Sequence, residues 1–97
     1  MSIGSRAEGF GVPISFEQLS VTSTATGGTI PAGTIAATVS VDGADARFRS
    51  DGTSPTTTVG HKIADGQWIE LGASDLVGAE FIAVSGTALI NITYYKN

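Results

Sequence analysis

The sequence predicts an all-β protein: a single antiparallel β-sandwich, jelly-roll-like, built from seven or eight short strands. Three observations carry this expectation. First, runs of alternating apolar and polar residues recur every 8 to 12 residues along the 97-residue chain, separated by turn residues. Second, no window of 11 or more residues repeats apolar positions at helical spacing without a Gly or Pro interrupting it. Third, the Glu, Lys, Leu and Arg that favour exposed helices are scarce. The length suits one domain and a modest core.

Met1 to Pro13 reads as an extended N-terminal arm, with the sandwich domain covering 14–97. The arm carries Gly4, Gly9 and Gly11, and its apolar residues Ile3, Phe10 and Val12 stand apart like anchors along a chain. Because Gly9 and Gly11 flank Phe10, the backbone there can approach a neighbouring surface closely. The first strand is expected over Ile14–Thr24, with Leu19 and Val21 on one face and Ser20 and Thr22 on the other. Gly27-Gly28 turns the chain, and Ile30-Pro31-Ala32-Gly33 bends it again. Thr34 to Val41 alternates, with Ile35, Ala37, Val39 and Val41 sharing a side. Asp42-Gly43 signals a hairpin into Ala44–Arg49, where Ala46 and Phe48 point inward and Asp45, Arg47 and Arg49 outward.

Thr53 to Val59 contains Pro55, which suits an edge strand or an extended loop but not a central strand. Gly60 to Ile63 is a short strand. Asp65-Gly66 turns into Gln67–Leu71, where Ile69 and Leu71 oppose Trp68 and Glu70. Ser74 to Ala79 is expected to form one turn of 3₁₀ helix capped by Ser74. Phe81–Ser85 and Ala88–Tyr95 are the last strands, joined by a Gly86-Thr87 hairpin. In the last of them Ala88, Ile90, Ile92 and Tyr94 share one face. The expected core contains Ile35, Val39, Phe48, Ile69, Leu71, Ile90 and Ile92.

Composition narrows the functional classes. The formal net charge is −4, and no basic stripe is available to displace counterions from phosphates, so nucleic acid is not the expected partner. The acidic balance also disfavours anionic membrane surfaces, and no apolar run reaches the 18 or more residues of a spanning helix. No secretory leader pattern is read at the N-terminus. The absence of cysteine leaves no disulfide framework and no thiolate metal site. Charged residues make up 14% of the chain, against roughly 25% in ordinary soluble proteins. A surface so poor in charge and rich in Ser, Thr and Gly is either an ordinary β-protein surface or one partly covered by neighbours.

Reactive groups are sparse. His61 is the only histidine, and a hydrolytic triad would have to join it to Ser54 or Ser85 without a GxSxG elbow. Asp42, Asp51, Asp65 and Asp75 sit in or beside turns, where a carboxylate bonds local backbone. Glu70 and Glu80 remain as a carboxylate pair for glycoside chemistry. Asp42-Gly43-Ala44-Asp45 lacks the ligand ladder of a calcium loop. The expectation is therefore a non-enzyme with no catalytic residue, metal or cofactor. Trp68, beside Glu70 on the polar side of its strand, is a candidate for subunit contact, for closing one end of the sandwich, or for stacking on a glycan. Arg47 and Arg49, two of only five basic residues, share one strand face and are candidates for an interface or an ion pair with Asp51 or Asp75.

The stretch from Ala46 onward contains R-F-R-S-D-G-T-S-P-T, and the chain closes with F-I-A-V-S-G-T-A-L-I-N-I-T-Y-Y. This combination resembles small all-β virion-associated structural proteins of tailed bacteriophages. The resemblance covers about half of the chain. It implies a virion location and a role as a capsid decoration or cement protein that binds and stabilises the assembled capsid. Alternatives are a head-fibre base or tail accessory protein, or a carbohydrate-binding β-sandwich module. The implied partners are further copies of the chain (a trimer among the arrangements) and the major capsid protein or another virion protein. Protein-interface candidates are Ile3, Phe10, Val12, Arg47, Arg49 and Trp68.

Overall fold

The computed structural model describes residues 11–97. Ile3 and Phe10, and with them nearly all of the expected arm, lie outside the described residues. Seven strands and a single helical turn follow one another: β1 (Val12–Val21), β2 (Ala36–Asp42), β3 (Ala46–Arg49), β4 (His61–Ile63), β5 (Trp68–Gly72), α1 (Ala73–Leu76), β6 (Glu80–Ala83) and β7 (Ala88–Lys96). They form two antiparallel sheets, one of four strands in the order β1-β7-β2-β5 and one of three in the order β4-β3-β6. The expected all-β sandwich is what the chain forms.

Alternation builds the core. Ala37, Val39 and Val41 of β2 and Ala88, Ile90, Ile92 and Tyr94 of β7 are buried on the inner face of the larger sheet. Ala46 and Phe48 of β3, Ile63 of β4 and Phe81 of β6 meet them from the smaller one. The Phe48 and Phe81 rings lie 5.9 Å apart at a tilt of 32°, within the range of favourable aromatic pairs. Leu71 and Leu76 close the end beside α1.

Several expectations are corrected. The first strand begins at Val12, which pairs with Lys96, and not at Ile14; Ile14 instead occupies a bulge between Pro13 and Ser15. Ile35 is 37% exposed and not core, because β2 begins one residue later. Its backbone is nevertheless engaged, with N–H donated to Tyr95 O and C=O accepting from Ala73. Ile69 is only partly buried at the sheet edge. The helical turn is α and not 3₁₀, and Gly72, not Ser74, is its N-cap, without a side-chain bond.

The largest correction concerns the turns. Asp42-Gly43 does not make a hairpin, since β2 and β3 lie in different sheets. Gly43 has φ +95 and donates its N–H to Asp65 Oδ1, so the chain turns a corner of the sandwich there. Gly86-Thr87 carries the chain between sheets in the same way, from β6 to β7, and so does Asp65-Gly66, from β4 to β5.

The two sides of the sandwich are closed differently. After β1 the chain drops to the smaller sheet: Thr26 exchanges two backbone bonds with Phe81, and Ala83 donates to Thr22 O. It then returns beneath the larger sheet, where Thr29 N–H and the Tyr94 hydroxyl both donate to Glu17 Oε1, at 2.7 and 2.5 Å. On the opposite side β4 and β5 are the outermost strands.

Candidate functional site

Two regions hold the residues singled out by sequence. The first is the outer face of the four-stranded sheet. Because Ile90, Ile92 and Val39 point inward, the residues between them point out, and the registers align them in rows. One row runs Phe16, Thr93, Thr38, Glu70; the next runs Gln18, Asn91, Ser40, Trp68. Each crosses four strands, about 14 Å at a strand spacing of about 4.8 Å. Gln18 Nε2 donates to Asn91 Oδ1 at 2.7 Å, and Glu70 is the only charged residue in either row.

Large apolar groups sit at both ends of this face. Phe16 on β1 is 61% exposed and Trp68 on β5 is 39% exposed, while Val12, 51% exposed, opens β1. Trp68 was expected on the outward side of its strand, and Val12 was singled out as an anchor of the arm. Phe16 was not, although a signal existed: it occupies the polar phase of its strand, with Gln18 and Ser20. An aromatic residue out of phase with the core is one that the fold leaves outside.

The two arginines lie on the other sheet, and their bonds are intramolecular. Arg47 donates Nε–H to Thr57 O and Nη1–H to Gly60 O, tying the long β3–β4 loop back to its strand. Arg49 makes a two-pronged pair with Asp51, at 3.0 and 2.5 Å. That pair holds the Asp51 carboxyl down to about 2, with the Arg49 hydrogen bonds as the main cause. Asp45 is likewise shifted down, first by the Asp65 N–H and then by Lys62, whose ammonium is 3.3 Å away.

The second region is an open cleft of about 360 Å³ between β4 and β5. Phe48, Ile69 and Leu71 form its floor, and Ser50, His61, Lys62 and Asp75 line its rim. The fold thus brings a serine, the histidine and an aspartate to one rim. Among the described residues, however, His61 makes no hydrogen bond to Ser50 or Asp75; its ring packs on Phe48 at 5.3 Å. Ser54 is engaged elsewhere, donating to Glu80 Oε1 at 2.5 Å. A nucleophile needs a base within hydrogen-bond reach, and the rim does not supply that coupling. No group of three metal-ligating side chains gathers among the described residues, and none of their helices is long and apolar enough to cross a membrane.

No family model, curated protein or solved structure matches the chain.

Proposed function

We propose that this chain is a non-enzymatic structural component of a tailed-phage virion, a decoration or cement protein that docks on the assembled capsid. The observation that carries the docking mode is the outer face of the four-stranded sheet. It is poor in charge, with Glu70 and Asp42 as the acids in its outward rows, and has Phe16 and Trp68 exposed at its two edges. Aromatic residues are enriched and charged ones depleted at the centres of protein interfaces. The resemblance in the Ala46–Thr56 and Phe81–Tyr95 stretches supports the virion assignment. A protein that binds the assembled lattice better than free subunits stabilises the lattice by mass action.

The test is co-sedimentation with particles lacking this protein. The double variant Phe16→Ser, Trp68→Ser should keep its melting temperature and fail to co-sediment. Retained co-sedimentation would move the docking surface elsewhere, and binding to tails in place of heads would select the tail accessory role. A second reading is favoured by one specific observation, the row of Gln18, Asn91 and Ser40 leading to Trp68, which offers amides and hydroxyls beside a ring. Oligosaccharide binding by the isolated chain, abolished by Trp68→Ala, would establish a glycan-binding module instead.

A further inference from the structure

We infer that β1 is a self-pairing edge: two copies of the chain join antiparallel through Phe16, Gln18 and Ser20 to make one continuous eight-stranded sheet. The backbone pattern leads there step by step. Val41 donates to Gln67 O and accepts from Gly66 N–H, on the β5 side, so the odd-numbered residues of β2 direct their backbone groups at β5. In an antiparallel ladder these directions alternate. The even-numbered residues of β2 therefore face β7, and through Thr38–Thr93 and Ser40–Asn91 the odd-numbered residues of β7 face back. Ile92, Ile90 and Ala88 are left to bond β1, at Glu17, Leu19 and Val21. Phe16, Gln18 and Ser20 consequently turn N–H and C=O away from the sheet, and among the described residues no turn or loop backbone bond reaches them.

Natural sheets protect such edges with proline, bulges or outward charges. Here Pro13 and the bulge at Ile14 guard only the start of β1. From Phe16 to Val21 the one charge is Glu17, and its carboxylate is turned inward to Tyr94 and Thr29. Charge also selects the occupant. Identical copies carrying −4 each repel, so they meet most readily along a neutral seam, and this edge is one. The three outward residues are self-complementary about Gln18. An axis through Gln18 sets Gln18 against its own copy and Phe16 against the copy's Ser20, each pair exchanging two N–H···O bonds. Each exposed Phe16 ring then lies over the partner's Ser20 and Gln18 on the outer face.

This pairing shares Phe16 with the capsid reading but is tested on the purified chain alone, with no particle present. Sedimentation velocity over a wide concentration range should show conversion from 9.8 kDa to twice that mass. Hydrogen exchange at the Phe16, Gln18 and Ser20 amides should slow as the dimer forms, while exchange at Glu17 and Leu19, bonded within the monomer, changes little. Gln18→Pro removes the edge N–H together with the exposed side-chain bond to Asn91, and should give a folded chain that stays monomeric. A wild-type chain that remains monomeric throughout overturns the inference. So does a dimer whose three edge amides still exchange fast. If Gln18→Pro fails to fold, the exchange pattern of the wild type decides alone.

Discussion

Glu17 is the most informative residue to remove. One oxygen of its carboxylate accepts from the Tyr94 hydroxyl at 2.5 Å and from Thr29 N–H at 2.7 Å. It thereby fastens the segment between β1 and β2 beneath the larger sheet. Hydrogen bonds to a charged group contribute about 1.5–3 kcal/mol each, and a buried donor left alone costs about 1–3 kcal/mol. Tyr94 is buried, so Glu17→Ala strands its hydroxyl as well as freeing Thr29. The two losses overlap, and the expected cost is about 2–4 kcal/mol. Tyr94→Phe removes one bond and its donor together and should cost only about 1–2 kcal/mol. The double variant should then cost less than the sum, by about 1 kcal/mol or more. Urea titration with an unchanged slope is the assay. A Glu17→Ala cost below about 0.5 kcal/mol, within the range of an ordinary surface substitution, would refute the claim that this carboxylate holds the segment. The same cluster sets an alkaline limit. Burial first, and the Glu17 carboxylate second, disfavour the Tyr94 phenolate, so the folded chain holds that proton more tightly than the unfolded one. The contribution is complete below pH 10, the ordinary tyrosine value, and is lost as the pH rises above it. Tyr94→Phe should flatten that alkaline slope.

Three further outcomes follow from the packing. Phe48→Ala, which empties the space between the Phe81 and His61 rings, should destabilise by about 3–5 kcal/mol in urea titration, and a change under about 1 kcal/mol would contradict its core placement. Gly28→Ala should destabilise with no loss of any side chain, since a Cβ there would sit 2.5 Å from both Glu17 Oε1 and Tyr94 Oη; thermal melts should show a lowered midpoint, partly restored by Tyr94→Phe. The Arg49–Asp51 pair contributes above pH 3.8 and is lost as the pH falls through about 2, so Asp51→Asn should reduce the acid dependence of the melting temperature without altering it near neutrality by more than a surface pair allows.

How far the fold was legible follows from which interactions are local. Side-chain alternation is a property of consecutive residues, and it correctly assigned the buried phases of β2, β3 and β7. Turn chemistry is also local, and Asp42-Gly43, Asp65-Gly66 and Gly86-Thr87 all lie where the chain reverses or bends. What a turn residue does not encode is whether the next strand pairs with the last or crosses to the other sheet. All three connections cross. That choice depends on contacts distant in sequence, such as Gly43 N–H to Asp65 and Asp65 N–H to Asp45. Ile35 shows the other limit: its phase is right, but a phase cannot say where pairing starts. Arg49 with Asp51 was readable because the partners are two residues apart. Arg47 was not, because its acceptors are carbonyls of the loop that it anchors, at Thr57 and Gly60.

The distribution of bonded and unbonded polar groups separates structural from interactive surface. Polar residues on the smaller sheet are consumed within the chain: Arg47 by loop carbonyls, Arg49 by Asp51, Lys62 by Asp45, and Ser54 by Glu80. A side chain already committed to an internal partner must give up that bond before meeting another molecule, and the cost falls on binding. The β1 end of the larger sheet's outer face is different. It presents Phe16 without a covering group, and the outward backbone of Phe16, Gln18 and Ser20 has no turn or loop backbone partner among the described residues. Ordering a new neighbour there sacrifices no backbone bond among the described residues and gains both apolar burial and ladder bonds. Burying an exposed Phe contributes about 1.5–3 kcal/mol, and two copies joined through β1 would bury two. The sheet is well suited to that task, because its strands hold the anchors at fixed spacing before any partner arrives. Assembly by this face would thus select for what the chain shows: low charge, Ser and Thr between the anchors, and an inward-turned acid on the strand that would otherwise repel its copy.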